Sequence, residues 1–150
     1  MNTDRKKQIK VEKTTRKDIK EFYDKEWCNV DVEHYDRKVQ RTEWNSKRFI
    51  FKAMIKEETV GTITGKHLAG VVYIDSIIVA KKNRRQGVGR ILMETVKEFG
   101  KKIGAHKVHL VTGRDWEANK FYEQLGFEKI GELPKHYLKH DFVIYSKFVV

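Results

Sequence analysis

The sequence predicts an α/β fold of the mixed α+β kind, with about four helices on both faces of a central sheet of about six to seven mostly antiparallel strands. Three observations predict it. The β-branched run Val71 to Val79 leads into a basic turn, Arg84-Arg85-Gln86-Gly87-Val88-Gly89-Arg90, and then into a helical repeat placing Val88, Leu92, Val96, Phe99 and Ile103 on one side. Two β-rich segments precede this unit, joined by a short polar turn at Glu57-Glu58. After it, strand and helix patterns alternate to the end of the sequence.

Taken in order, Ile9 to Glu12 reads as a short first strand. Thr15 caps a helix with Asp18 completing the capping box, and Ile19, Phe22, Tyr23 and Trp27 form its apolar stripe. A second, more polar helix covers Val32 to Glu43. Arg48 to Lys56 and Thr59 to His67 form the hairpin, and Gly65, Ala69 and Gly70 loosen the connection to the Val71–Val79 strand. Lys107 to Thr112 is the next strand. Glu117 to Leu125 is a short helix with Ala118, Phe121, Tyr122 and Leu125 turned inward. Gly126-Phe127 ends it and opens a strand to Leu133, and Asp141 to Phe148 supplies the last strand.

A chain of 150 residues without repeats, with a single proline and no Pro/Gly/Ser-rich linker, is expected to form one domain over 1–150. No apolar run reaches the roughly 20 residues that span a bilayer, and the charged start Met1 to Lys7 lacks the apolar stretch of a signal peptide. The only cysteine, Cys28, permits no internal disulfide and suits the cytoplasm. Cys28 beside Trp27 reads as a packed residue rather than a nucleophile. The net charge of +11 comes mostly from basic residues interleaved with acids. The exception is Lys81 to Arg90, where five of ten residues are basic and none is acidic.

That run coincides with the glycine turn. Gly87 and Gly89 carry no Cβ, so the turn can take positive φ and a ligand can come close to the main chain. The first N–H groups of a helix have no internal partner, and the helix dipole favours anions there. Strand, basic turn and helix N-terminus therefore form a cradle for phosphate. A dinucleotide fold would need a third glycine where Leu92 stands, and a P-loop would need Gly-Lys-Ser/Thr.

Arg84-x-x-Gly87-x-Gly89 after an apolar strand resembles the acetyl-CoA-binding motif of the GNAT superfamily of N-acetyltransferases. Trp116 to Phe127 resembles the family's next motif, an Asn, an aromatic-Tyr pair and Leu-Gly-Phe, in the expected order. The resemblance is close over Thr59 to Val149 and extends only to layout before that. It implies a sheet that splits after Val71–Val79, with the pantetheine arm of coenzyme A pairing with main-chain groups at Ile77, Ile78 and Val79. Arg84, Arg85, Gln86, Gly87, Val88, Gly89 and Arg90 would hold the pyrophosphate. Asn119 would face the pantetheine, and Tyr122 would sit beside the sulfur.

The implied activity is transfer of an acetyl group from acetyl-CoA to a primary amine, by direct attack in a ternary complex. Tyr122 is the expected general acid, since an ordinary phenol stays protonated at neutral pH. A main-chain N–H near Ile78 or Val79 is the implied oxyanion donor. Asp75 interrupts an apolar strand, and two readings of it stay open. It is either the base that deprotonates the amine through a water, or a structural carboxylate paired with a basic neighbour. The histidines form no metal motif: His136 and His140 are four apart but follow Pro134 in a loop, so no metal is expected.

The acceptor is a small-molecule amine, a polyamine, or a protein N-terminus or lysine. Glu26, Asp31, Glu33, Asp36 and Glu43 could supply local acidity for a cationic one, and Leu133 to Asp141 form a loop over the acceptor side. No membrane partner is expected, and a homodimer stays open. Two rivals remain: a non-catalytic acyl-CoA sensor, and a basic nucleic-acid-binding module. The module would interleave cations with exposed aromatics, whereas the densest basic run lies on the cofactor turn.

Overall fold

A computed structural model describes residues 8–149. The chain divides after Arg41 into two compact units. The first holds helix α1, Arg16–Tyr35. Thr15 caps it as expected: its hydroxyl accepts from the Asp18 N–H at 3.4 Å and donates to the Asp18 carboxylate at 2.6 Å. The hydroxyls of Thr15 and Thr14 hold the Asp18 carboxyl below the usual carboxylate range. Arg41 returns to α1, donating to the Asp24 carbonyl at 3.1 Å and lying 3.5 Å from the Asp24 carboxylate.

Two expectations fail in this region. Ile9 to Glu12 form no strand; Ile9 and Val11 are 64% and 93% exposed, so the run buries nothing that would offset the cost of ordering it. The separate helix over Val32–Glu43 is also absent. Instead α1 continues to Tyr35 and stops where Asp36 turns left-handed at φ 54°, and only a 3₁₀ turn follows at Arg41–Trp44. The described residues therefore contain six strands and three α-helices rather than four helices.

The second unit is one open sheet in the order β1-β2-β3-β4-β6-β5. The strands are β1 (Lys47–Ile55), β2 (Glu58–Leu68), β3 (Val71–Val79), β4 (Lys107–Gly113), β5 (Glu128–Leu133) and β6 (Phe142–Phe148). All neighbours are antiparallel except β3 and β4. That single parallel pair demands a crossover, and helix α2 (Val88–Lys102) supplies it, lying across β1, β2 and β3. Helix α3 (Ala118–Gln124) links β4 to β5 and packs on β4.

The expected stripe of α2 builds the core. Val88, Leu92 and Val96 are buried with Ile63, Val72, Leu110, Val143 and Tyr145 from the sheet, and Phe99 packs against them. Each fully buried Val or Leu contributes about 1.5–3 kcal/mol through the apolar surface it removes from water. Gly100 lets α2 approach the sheet, since a Cβ there would lie 3.1 Å from Val72. The core thus fixes the start of α2 against the end of β3.

Candidate active site

The site begins where the sheet parts. β3 and β4 pair from Val71–Lys107 to Ile74–Leu110 and no further. At the same level the register of β3 on β2 shifts: Ile74 stands opposite Gly65 and Ser76 opposite Thr64, leaving Asp75 as the extra residue of a bulge. A bulge bends its strand and sharpens its twist. Residues 75–79 therefore leave β4 while β3 stays paired with β2 as far as Val79–Gly61. Along the edge facing the gap, alternate N–H and C=O groups of 75–79 have no strand partner.

The basic turn closes one end of this gap. A 3₁₀ turn, Lys81–Asn83, follows β3, and Gly87 caps α2 at φ 85°. Among the described residues, the main-chain N–H groups of Arg85 to Arg90 donate to no acceptor in the chain; Ile91 is the first that does, to the Gly87 carbonyl at 3.1 Å. A Cβ on Gly87 would meet nothing within 4 Å, so this glycine serves the backbone angle and faces open space. Gly89 differs. A Cβ there would lie 3.1 Å from Phe121, so it lets α2 and α3 touch rather than admitting a ligand at its α-carbon.

The side chains of the turn are partly committed. Arg84 Nε donates to the Val79 carbonyl at 3.1 Å, Gln86 Nε2 to the Lys82 carbonyl at 3.2 Å, and Lys82 pairs with Glu58 at 2.6 Å. These contacts stiffen the loop. Arg85 sits left-handed at φ 60°, a costly angle for a side-chain-bearing residue, and makes no ion pair among the described residues. A row of free amides at a helix N-terminus, with Arg85 and Arg90 beside it, fits a pyrophosphate.

Helix α3 brings the second motif to the same region. Tyr122 is 6% exposed, with its ring among Phe121, Phe127 and Tyr145 at centroid distances of 5.3, 5.9 and 5.9 Å. Burial pushes its phenol up to about 12. Its hydroxyl has no partner among the described residues, yet it is not an enclosed orphan; only Asn83 Oδ1 is. A buried ring therefore presents a free, firmly protonated hydroxyl at its tip.

Asn119 is used in a way the motif did not reveal. Its Nδ2 lies 2.9, 3.2 and 2.6 Å from the carbonyls of Gly113, Arg114 and Trp116, and its two N–H bonds, one of them shared, clamp the link between β4 and α3. Only Oδ1 remains to meet a ligand. Strand β6 holds the rest of α3: Tyr145 donates to Glu123 at 2.9 Å, and Lys147 donates to the Leu125 carbonyl.

Asp75 is exposed and paired with Arg48 at 3.1 Å, a residue the sequence reading passed over. Its partner lies two strands away, a pairing that depends on sheet order. Ile77 and Val79 are half-buried, whereas Ile78 is 60% exposed. His136 and His140 flank a 3₁₀ turn rather than sharing a helix face. No group of three or more His, Cys, Asp or Glu residues comes together as a metal set among the described residues.

Bulged strand, split sheet and amide-lined turn together define an open α/β sheet with an anion cradle at the mouth of its split. The profile of the "Acetyltransferase (GNAT) family" matches residues 16–127, and the chain belongs to this acetyltransferase family. No curated protein sequence matches significantly. Among solved structures, an acetyltransferase from Bacillus cereus is 20% identical with a TM-score of 0.67, covering 94% of this chain and 98% of its own. The ribosomal-protein-S18-alanine N-acetyltransferase of Escherichia coli is 16% identical with a TM-score of 0.63, covering 82% and 85%. A proposed streptothricin acetyltransferase of Bacillus anthracis, solved with acetyl coenzyme A, is 26% identical with a TM-score of 0.63, covering 73% and 68%. No helix among the described residues is long and apolar enough to cross a membrane.

Proposed function

We propose that the chain transfers an acetyl group from acetyl-CoA to a primary amine by direct attack within a ternary complex, in the cytoplasm and as one functional domain. The family match supports the single domain, because it runs across the division at Arg41. One observation carries the reading. The gap between β3 and β4 is continuous in sequence with the free amides of Arg85 to Arg90, and the α3 that carries Tyr122 touches the start of α2.

Acetyl-CoA brings an activated acyl group as a thioester. The amides of 85–90, with Arg85 and Arg90, hold its pyrophosphate, and the open edge at Ile77, Ile78 and Val79 pairs with its pantetheine arm. Arg84 acts mainly by bracing Val79. Asn119 offers Oδ1 to the pantetheine while its amide group keeps the β4–α3 link in shape.

Tyr122 donates its hydroxyl to the departing sulfur. An ordinary thiol titrates near 8.5, so full proton transfer from a phenol held at about 12 runs uphill. The role is therefore hydrogen-bond stabilisation of the growing thiolate, with solvent completing the protonation. Asp75 takes the amine proton through a water and must share its carboxylate with Arg48 to do so. The acceptor is a small-molecule amine, a polyamine, or a protein N-terminus or lysine.

The direct test is calorimetric titration with coenzyme A, followed by a thiol-release screen of amines with acetyl-CoA. Tight binding and amine-dependent thiol release are expected. A protein that binds no CoA thioester would overturn the proposal, and binding without turnover on any amine would point to an acyl-CoA sensor.

A further inference from the structure

A cavity of about 310 Å³ opens at the C-terminal end of β4, the strand that forms one wall of the split. Its lining comes from the β4–α3 link and from the connection between β5 and β6. Four basic residues, Arg114, Lys135, Lys139 and His140, face two carboxylates, Asp115 and Asp141. The geometry points to this cavity as the seat of an anionic group, a carboxylate or phosphate, carried by the acceptor amine. The inference rests on the acetyl-transfer reading and narrows its acceptor.

The arrangement of charge is the first argument. Both carboxylates are spent within the wall. Arg114 lies 2.9 Å from Asp141 and 3.5 Å from Asp115, and Asp141 also accepts the Lys135 N–H at 2.8 Å. The Arg114 N–H donates to the Asp141 carbonyl at 3.0 Å, so the root of the β5–β6 connection is tied twice to the end of β4. Lys135, Lys139 and His140 are left without an acidic partner among the described residues. A cavity whose acids are already satisfied and whose lysines are not attracts anions and repels polycations.

The backbone supplies the second argument. Lys135, Leu138 and Lys139 all lie in the left-handed region, at φ 49°, 52° and 64°. Such angles persist in non-glycine residues where the surroundings enforce them, and they cluster at ligand clamps. Here the Asp141 carboxylate and a His136 N–H to His140 carbonyl bond of 2.7 Å enforce them. Trp116, whose ring lies against Gly113, completes the wall with an apolar face and provides a reporter.

The test uses the full chain saturated with coenzyme A, so that the cofactor's own phosphate cradle is filled. Inorganic phosphate and acetate are titrated separately by calorimetry, with Trp116 fluorescence followed in parallel and ethanolamine as the cationic control. Saturable binding of at least one anion is expected, and none of ethanolamine. Binding should weaken at least tenfold in K135E/K139E and stay unchanged in K102E, a lysine at the far end of α2. W116F, which leaves the lysines in place, should bind the anion and lose the fluorescence change; this keeps the location testable if the double variant folds poorly.

Phosphate binding alone assigns a phosphorylated amine, and acetate binding assigns a carboxylate-bearing one. No saturable binding, or binding indifferent to the double variant, would overturn the inference. Both outcomes leave CoA affinity intact, which separates them from failure of the parent reading.

Discussion

Arg48 on β1 reaches past β2 to the Asp75 carboxylate on β3, 3.1 Å away, and Asp75 is the one residue of that strand without a partner on β2. The only acid on β3 is thus both displaced by a bulge and held by a cation. Both side chains are well exposed, so the pair contributes at most about 1 kcal/mol to stability. Asp75→Asn should therefore barely move the melting temperature. It should lower kcat/KM by about 10–100-fold if the carboxylate relays the amine proton, with CoA affinity unchanged. An unaltered rate in steady-state kinetics would leave Asp75 with the structural role of anchoring Arg48.

Tyr122 separates chemistry from folding. Tyr122→Phe keeps the ring among Phe121, Phe127 and Tyr145, so CoA affinity should be preserved while kcat falls by about 10–100-fold. A rate equal to the parent enzyme would remove Tyr122 from the mechanism.

The same phenol makes an alkaline prediction. Its folded value, about 12, lies above the ordinary phenol near 10. The folded state thus holds the proton more tightly, and this stability is present in full below pH 10. It is lost as pH rises from 10 through 12. Thermal melts across that window should decline less steeply in Tyr122→Phe than in the parent protein; identical slopes would refute the desolvated phenol.

The two glycines of the turn should respond differently. Gly87→Ala meets no atom but must keep φ at 85°, costing about 1 kcal/mol or a little more. Gly89→Val adds bulk against Phe121, at 3.1 Å even for a Cβ, and should separate α2 from α3. Overpacking of this kind costs about 1–3 kcal/mol. Chemical denaturation measures both, and a larger loss for Gly87→Ala would contradict the contacts described.

Asn119→Asp is the sharpest probe of the β4–α3 link. It keeps shape and Oδ1 but turns a donor that serves three carbonyls into an acceptor facing them. A loss of about 1–3 kcal/mol is expected from the unpaired carbonyls, with weaker CoA binding. Stability equal to the parent would show that the clamp is dispensable.

The parts of this chain that the sequence made legible are those where local rules suffice. Val71 to Lys102 combines a β-branched run, glycines with defined backbone needs and a 3.6-residue apolar repeat, and each agrees with the others. The Thr15 cap was legible for the same reason. Ile9–Glu12 misled because a β-branched run becomes a strand only when an edge accepts it. Val32–Glu43 misled because polar helical spacing says nothing about Asp36 turning left-handed. Arg48–Asp75, the Asn119 clamp and the charged cavity at Arg114 all join residues from separate elements. Their chemistry follows from strand order, register and the bulge, none of which a one-dimensional pattern carries.

The bulge at Asp75 also sets a phase. Ahead of it Val72 and Ile74 point into the core; behind it the inward residues are Ile77 and Val79, and Ile78 points out. One inserted residue has moved the inward set from even to odd positions. Removing Asp75 would therefore act at a distance: plain alternation returns with Ile77 and Val79 still inward, but the bend that carries residues 75–79 away from β4 is lost. The edge of the gap is written in a shifted reading frame of the pleat, and substitutions, which preserve that frame, are tolerated there far better than deletions.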